Sequence, residues 1–213
     1  MLKLKAVRPE WVTLCASAFF LAGFNFVLWQ HLFAITSADA KGIALRVAFG
    51  AMIFAAFNIV LTFLAFRRVL KPVLILLFLI SASVAYFMSQ YGVLIDAGML
   101  RNFAETNVTE VRDLLSSKLL AYIVFLGVVP SWLLWKVPVD YRRWHRELFS
   151  KVIVSFASVA VIGGVALANY QGLSSLFRNH HELRLMLVPS NYIGAAAGYL
   201  REQVASAQQP FVK

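Results

Sequence analysis

The chain has 213 residues, 61% of them hydrophobic and only 14% charged, with a formal net charge of +10 and a mean hydropathy of +0.74. Soluble domains carry about 45–50% apolar and about 25% charged residues, and the surplus here lies in long apolar runs that a small water-soluble core could not bury. Lipid must therefore be the main solvent, and because the cations gather at the ends of those runs they read as membrane topology and contact with anionic head groups, with no nucleic-acid partner.

A hydrocarbon core about 30 Å thick takes about 20 helical residues at 1.5 Å each. Five segments reach that length: residues 11–32, 43–66, 73–91, 119–137 and 152–170. The first follows Lys3, Lys5 and Arg8 as a secretory signal would. It is too long and too aromatic for one, and no small-residue cleavage site follows, so it is read as a retained span. Within it lies Cys15, the only cysteine, which rules out an intramolecular disulfide or a site built on two cysteines. The polar stretch 36–42 ends this span, and Arg67-Arg68 ends the second. Lys71-Pro72 opens the third, where a proline in the first turn gives up no hydrogen bond; Pro138 closes the fourth. No span carries a charge at its middle, and Arg46 lies near enough to an end to snorkel. Helices this apolar associate through small and polar residues. Asn25, Asn58 and the pair Gly163-Gly164 are therefore expected at helix contacts, the asparagines as interhelical hydrogen-bonding groups, with a substrate role as the alternative.

Orientation follows from the loops. Eleven of the 20 Lys and Arg residues lie in the amino tail, in the turn at 67–71 and in the stretch 136–151. The other nine spread over longer segments that also hold seven of the ten acids. Dense, short basic loops belong in the cytoplasm. The expected arrangement is an all-α integral membrane protein with its amino end cytoplasmic and its carboxyl end outside. Residues 1–170 form its five-helix domain, and 171–213 form an outer juxtamembrane helix and linker. Trp11, Trp29, Trp132, Trp135 and Trp144 all fall near span ends, as interfacial tryptophans do.

The outer loop 92–118 carries Met99, Leu100, Phe103, Ala104, Val108, Val111 and Leu114 at three- and four-residue steps, the pattern of helices lying in the membrane interface. Asp96 suits an N-cap, and Asn107 with Glu110 has the spacing of a capping box, which places a break near Thr106. Asn102, Thr106 and Glu110 stand four residues apart. Each such step turns a helix by about 40° beyond a full turn, so the three share a face. An amide, a hydroxyl and a carboxylate there suit a zwitterionic head group, the carboxylate pairing with an ammonium and the other two donating to phosphate oxygens. A solvated face with an ordinary cap fits the same residues. In the tail, Phe177-Arg178-Asn179-His180-His181-Glu182 offers metal-ligand types, but adjacent histidines lack the i, i+4 spacing of a helical site, and no metal ligand is assigned. Beyond it, residues 188–192 read as the start of a helix over about 192–206.

No GxSxG, GxxxxGK[ST] or HExxH motif and no pair of intramembrane carboxylates occurs, so no catalytic residue is assigned in this chain. Lys71-Pro72 with the apolar run after it, Tyr86-Phe87, Tyr91-Gly92, Asp96, Met99, Asn102, Thr106 and Glu110 resemble, in order and spacing, the phosphoethanolamine–lipid A transferases. That family includes the mobilised colistin-resistance enzymes of Gram-negative bacteria. Phe177-Arg178-Asn179-His180 and Pro189-Ser190-Asn191-Tyr192 are similar to its segment after the fifth span. The resemblance implies a membrane domain followed by a periplasmic catalytic domain that is missing here and is expected to hold zinc and a threonine nucleophile. It implies a bacterial inner-membrane location with the outer loop and carboxyl end periplasmic, phosphatidylethanolamine and lipid A as partners besides bilayer lipids, polymyxin resistance as the outcome, and head-group contacts at Asn102, Thr106 and Glu110. This chain alone should then be inactive. The competing expectations are a related transferase acting on another envelope glycan, and a non-enzymatic membrane subunit.

Overall fold

The computed structural model describes residues 6–99, 101 and 116–208. Among them the chain is helical, with one isolated bridge pairing Val7 with Val139. In order, the α-helices are α1 (Pro9–Phe19), α2 (Phe26–Ile35), α3 (Ala40–Leu64), α4 (Leu70–Tyr91), α5 (Ser117–Tyr122), α6 (Val129–Lys136), α7 (Trp144–Ala168), α8 (Tyr170–Asn179), α9 (Leu183–Met186) and α10 (Ser190–Gln208). Four stretches are long and apolar enough to cross a bilayer by themselves: α3, α4, Ser117–Lys136 and α7. A fifth is formed if Pro9–Phe24 and Phe26–Ile35 count as one broken span, bent by 66°.

That break has a local cause. The helix loosens to a π-helical segment at Phe20–Phe24, and Asn25 leaves helical geometry at φ −104° and ψ 32°. Such an interruption withdraws partners from nearby carbonyls. Two of those carbonyls are taken up by side chains: the Asn25 amide donates to Phe20 O at 2.8 Å and the Trp29 indole to Leu21 O at 2.9 Å. A second π-helical segment, Ile123–Val128, precedes Pro130, whose ring and missing N–H disturb the hydrogen-bond ladder of the turn before it.

The spans pack through aromatic and small residues. Phe20, Phe24, Phe57 and Phe78 are all buried, with Phe19 and Phe20 meeting Phe78 at 5.3 Å between ring centroids. Leu28, Leu32 and Leu74 are fully enclosed around this stack. α3 is the most buried span and packs along both α1 and α7, while α7 turns most of its surface outward. Asn58 on α3 donates to Ser158 on α7 at 3.1 Å, the interhelical bond its sequence position foretold. Gly127 brings the fourth span close to α4, where an added Cβ would lie 3.4 Å from the Leu79 Cα. Gly163 and Gly164 do not follow this rule. A Cβ on either would meet nothing, because α7 faces α3 through Ser158 and leaves both glycines exposed.

Gly42 is different, since its added Cβ would overlap the Ser37 backbone carbonyl at the tight α2–α3 connection. There Asp39 caps α3 by accepting from Gly42 N at 2.8 Å. Gly42→Ala should therefore lower the thermal midpoint of the detergent-solubilised protein, followed by circular dichroism, at an overpacking cost of about 1–3 kcal/mol. Gly163→Ala should leave it level or raise it, because alanine is the better helix former by about 1 kcal/mol.

One end of the bundle is laced through its basic segments. Val7 N donates to Pro138 O at 2.9 Å and Asp140 N to Val7 O at 3.0 Å. Lys71 Nζ donates to the carbonyls of Trp135 and Val137 at 3.0 and 2.8 Å. The amino segment, the α3–α4 turn and the stretch after α6 therefore meet on one side.

Candidate functional site

The opposite end is built where the chain doubles back after α7. Amphipathic α8 buries Leu173 and Leu176 and leaves its polar face outward. α9 then leads to a cis Val188–Pro189 peptide and into α10. Asn25, only 1% exposed, holds this return by its whole amide. Its Nδ2 donates to Val188 O at 2.8 Å, and Val188 N donates to its Oδ1 at 2.9 Å. An asparagine side chain is one of the few that can copy a peptide group and so satisfy a buried N–H and C=O at once. Asn25 thus bonds a backbone 163 positions away, not the side chain of another span.

Further contacts fasten the same return. Asn191 Nδ2 donates to Leu185 O at 3.1 Å and approaches Met88 Sδ at 3.3 Å. Tyr192 reaches Ser81 on α4 at 3.3 Å, and burial pushes its phenol up to about 12. His31 Nε2 and His180 Nδ1 both stand beside Glu182 Oε1, at 3.1 and 2.9 Å. The Glu182 carboxyl is lowered to about 2, first by its own backbone N–H, then by the His180 and His31 donors. Arg46 turns back onto the end of α2, donating to Thr36 Oγ1 at 2.7 Å and Thr36 O at 2.9 Å with its guanidinium 4.5 Å over Phe33. It caps free carbonyls as well as sitting near a span end. Beside these groups lies a cavity of about 770 Å³ lined by Thr36, Lys41, Asn169, Ser175, Asn179 and His180 among others.

Asn102, Thr106 and Glu110 lie outside the described residues, as does the break expected near Thr106. Both flanks of their segment are placed. α4 ends at Gly92 in the left-handed region at φ +63°, where glycine avoids the steric cost of a Cβ. Asp96 caps the next turn by accepting from Met99 N at 2.8 Å. Arg101 pairs with Glu202 on α10, and a Cβ on Gly198 would sit 3.4 Å from Ala97 Cβ, so the loop starts against α10. On its far side Ser116 caps α5 and shares a 2.6 Å hydrogen bond with Tyr86. Tyr86 in turn packs among Phe87, Tyr91 and Tyr122. The two flanks of 102–115 thus lie against α10 on one side and a tyrosine cluster on the other, at this end of the bundle. Sequence reasoning missed His31 as a companion of His180 and Glu182, and with His31 and Glu182 151 positions apart no local spacing could have signalled it.

Residues 53–204 match the family described as phosphoethanolamine transferase EptA/EptB. The phosphatidylethanolamine transferase Mcr-1 of Escherichia coli is 34% identical over 187 residues, 87% of this chain and 34% of that protein. The phosphoethanolamine transferase EptA of Escherichia coli K12 is 33% identical over 154 residues, 70% of this chain and 28% of its own length. The chain therefore spans about a third of the curated relatives it matches. The solved integral membrane lipooligosaccharide phosphoethanolamine transferase A (EptA) from Neisseria meningitidis superposes with a TM-score of 0.90 at 24% identity, over 97% of this chain and 39% of that one. That likeness establishes the membrane fold.

Proposed function

The chain belongs to the phosphoethanolamine transferase EptA/EptB family, and from that premise we propose that it is the membrane-anchoring and lipid-docking domain of a transferase moving phosphoethanolamine from phosphatidylethanolamine to lipid A. Masking lipid A phosphates in this way removes the negative charge that cationic polymyxins bind. Residues 1–170 are the spanning part in this reading, and 171–213 lead to a periplasmic catalytic domain that supplies the zinc and the nucleophile. The laced basic segments are cytoplasmic and the α8–α10 end is periplasmic, in the inner membrane, as the positive-inside bias requires.

The observation that carries the reading is the placement of both flanks of 102–115 on the same end as the return through Val188. A donor lipid held by that loop and a domain attached beyond α10 would meet there. Asn102, Thr106 and Glu110 are the proposed head-group contacts. Mass spectrometry of lipid A from cells with and without the full-length gene tests the assignment, with phosphoethanolamine-bearing lipid A expected only when the gene is present. Unmodified lipid A together with a phosphoethanolamine-bearing envelope glycan would move the acceptor; no modification of either would remove the transferase reading.

A further inference from the structure

We propose that His31, His180 and Glu182 form a binding site for a divalent metal ion of the zinc class, clamping α2 to the turn between α8 and α9. The three residues offer two imidazole nitrogens and one carboxylate oxygen that all lie within 4.8 Å of one another. Two of the separations are 3.1 and 2.9 Å, both to Glu182 Oε1. Zinc bonds to nitrogen and oxygen of about 2.0–2.2 Å in a tetrahedron put neighbouring ligand atoms about 3.3 Å apart. An ion entering between these atoms therefore requires only small side-chain movements.

Chemistry and access point the same way. Two histidines and one carboxylate are a ligand set that zinc accepts with its fourth position left to water. The side chains of His31, His180 and Glu182 are 31%, 29% and 35% exposed, so the donors are enclosed without being sealed. His180 also lines the 770 Å³ cavity, which gives an ion and its water a route to the ligands. The backbone is already set on both sides: His31 stands on α2 six residues beyond Asn25, and Glu182 is six residues from the Val188 that Asn25 holds. A site assembled from two segments so fixed loses little freedom on binding. The inference rests on this geometry alone and stands whether or not the transferase reading does.

The test uses this chain in detergent, without a histidine tag and stripped by a chelator, with zinc as the only probe. Calorimetric titration should give one saturable zinc per chain, and hydrogen exchange over 183–192 should slow when zinc is added. Loss of even an outer-shell partner weakens a metal site by about 10–100-fold, so His31→Gln and Glu182→Gln should each weaken binding by at least about tenfold. Glu182→Gln keeps an oxygen that both imidazoles can reach, which separates a lost ligand from a lost hydrogen-bonded brace. His181→Ala, a neighbour outside the cluster, should bind as the parent does. No saturable binding, or equal binding in the parent and both glutamine variants, would overturn the proposal, as would loss of binding in His181→Ala.

Discussion

Replacing Asn25 with leucine should free the segment 185–192 from the bundle while leaving the spans helical. The substitution keeps the bulk but removes every hydrogen bond that the side chain makes to Phe20 and Val188. Val188 is fully buried, so its N–H and C=O would be left without partners and without water. Each orphaned buried group costs about 1–3 kcal/mol. Intramembrane hydrogen bonds average nearer about 0.6 kcal/mol because the loosened state finds substitutes, so a net cost of about 2–4 kcal/mol is expected. The segment should respond by opening locally before the bundle does. Hydrogen exchange read by mass spectrometry should show protection over 185–192 falling by at least about tenfold, since 1.4 kcal/mol is a factor of ten. Asn25→Asp should fall between, because a carboxylate can still accept from Val188 N but donates nothing to Val188 O or Phe20 O. Unchanged exchange in Asn25→Leu would show that the return is held by its apolar contacts alone.

The second large effect is expected on activity. In the full-length protein, Glu110→Ala and Asn102→Ala should each abolish most of the polymyxin protection that the proposed transferase confers, at unchanged protein level in the membrane. A carboxylate facing a primary ammonium makes a charge-assisted hydrogen bond, worth about 1.5–3 kcal/mol, and losing it should cost about 10–100-fold in kcat/KM for the donor lipid. Glu110→Gln, which keeps an acceptor but not the charge, should retain more than Glu110→Ala. Drug susceptibility beside immunoblots of the membrane fraction, with lipid A mass spectra, gives the readout. Full protection in both alanine variants would end the head-group assignment and leave those residues as a solvated face with a cap.

The fold class was legible because lipid imposes a simple demand. Runs of twenty apolar residues with charges at their ends have few other destinations. The helix contacts were legible in part. Asn58 reaches another span as a polar group in lipid should, whereas Gly163 and Gly164 border no neighbour, because small residues permit a close approach without creating one. The 66° bend at Asn25 was hidden. An asparagine in a span suits an interhelical bond as well as a break, and it is its backbone geometry, with Val188 as a distant partner, that marks the end of one helix and the start of another. The grouping of His31 with Glu182 was hidden for the same reason: it depends on how the return after α7 lands, which no local pattern encodes. The likeness to known transferases was legible through the order of scattered residues along the whole chain, and the family match over 53–204 agrees with it.

The pairing of Arg101 with Glu202, and the close approach of Ala97 to Gly198, bring the start of the outer loop against α10. At 1.5 Å per residue the 19-residue α10 is a stiff rod of about 28 Å. Tension on its far end would be felt immediately next to Asn102. Under the proposed docking role, occupancy of the loop by a lipid and the angle of that rod would be linked variables, each biasing the other by the same free energy.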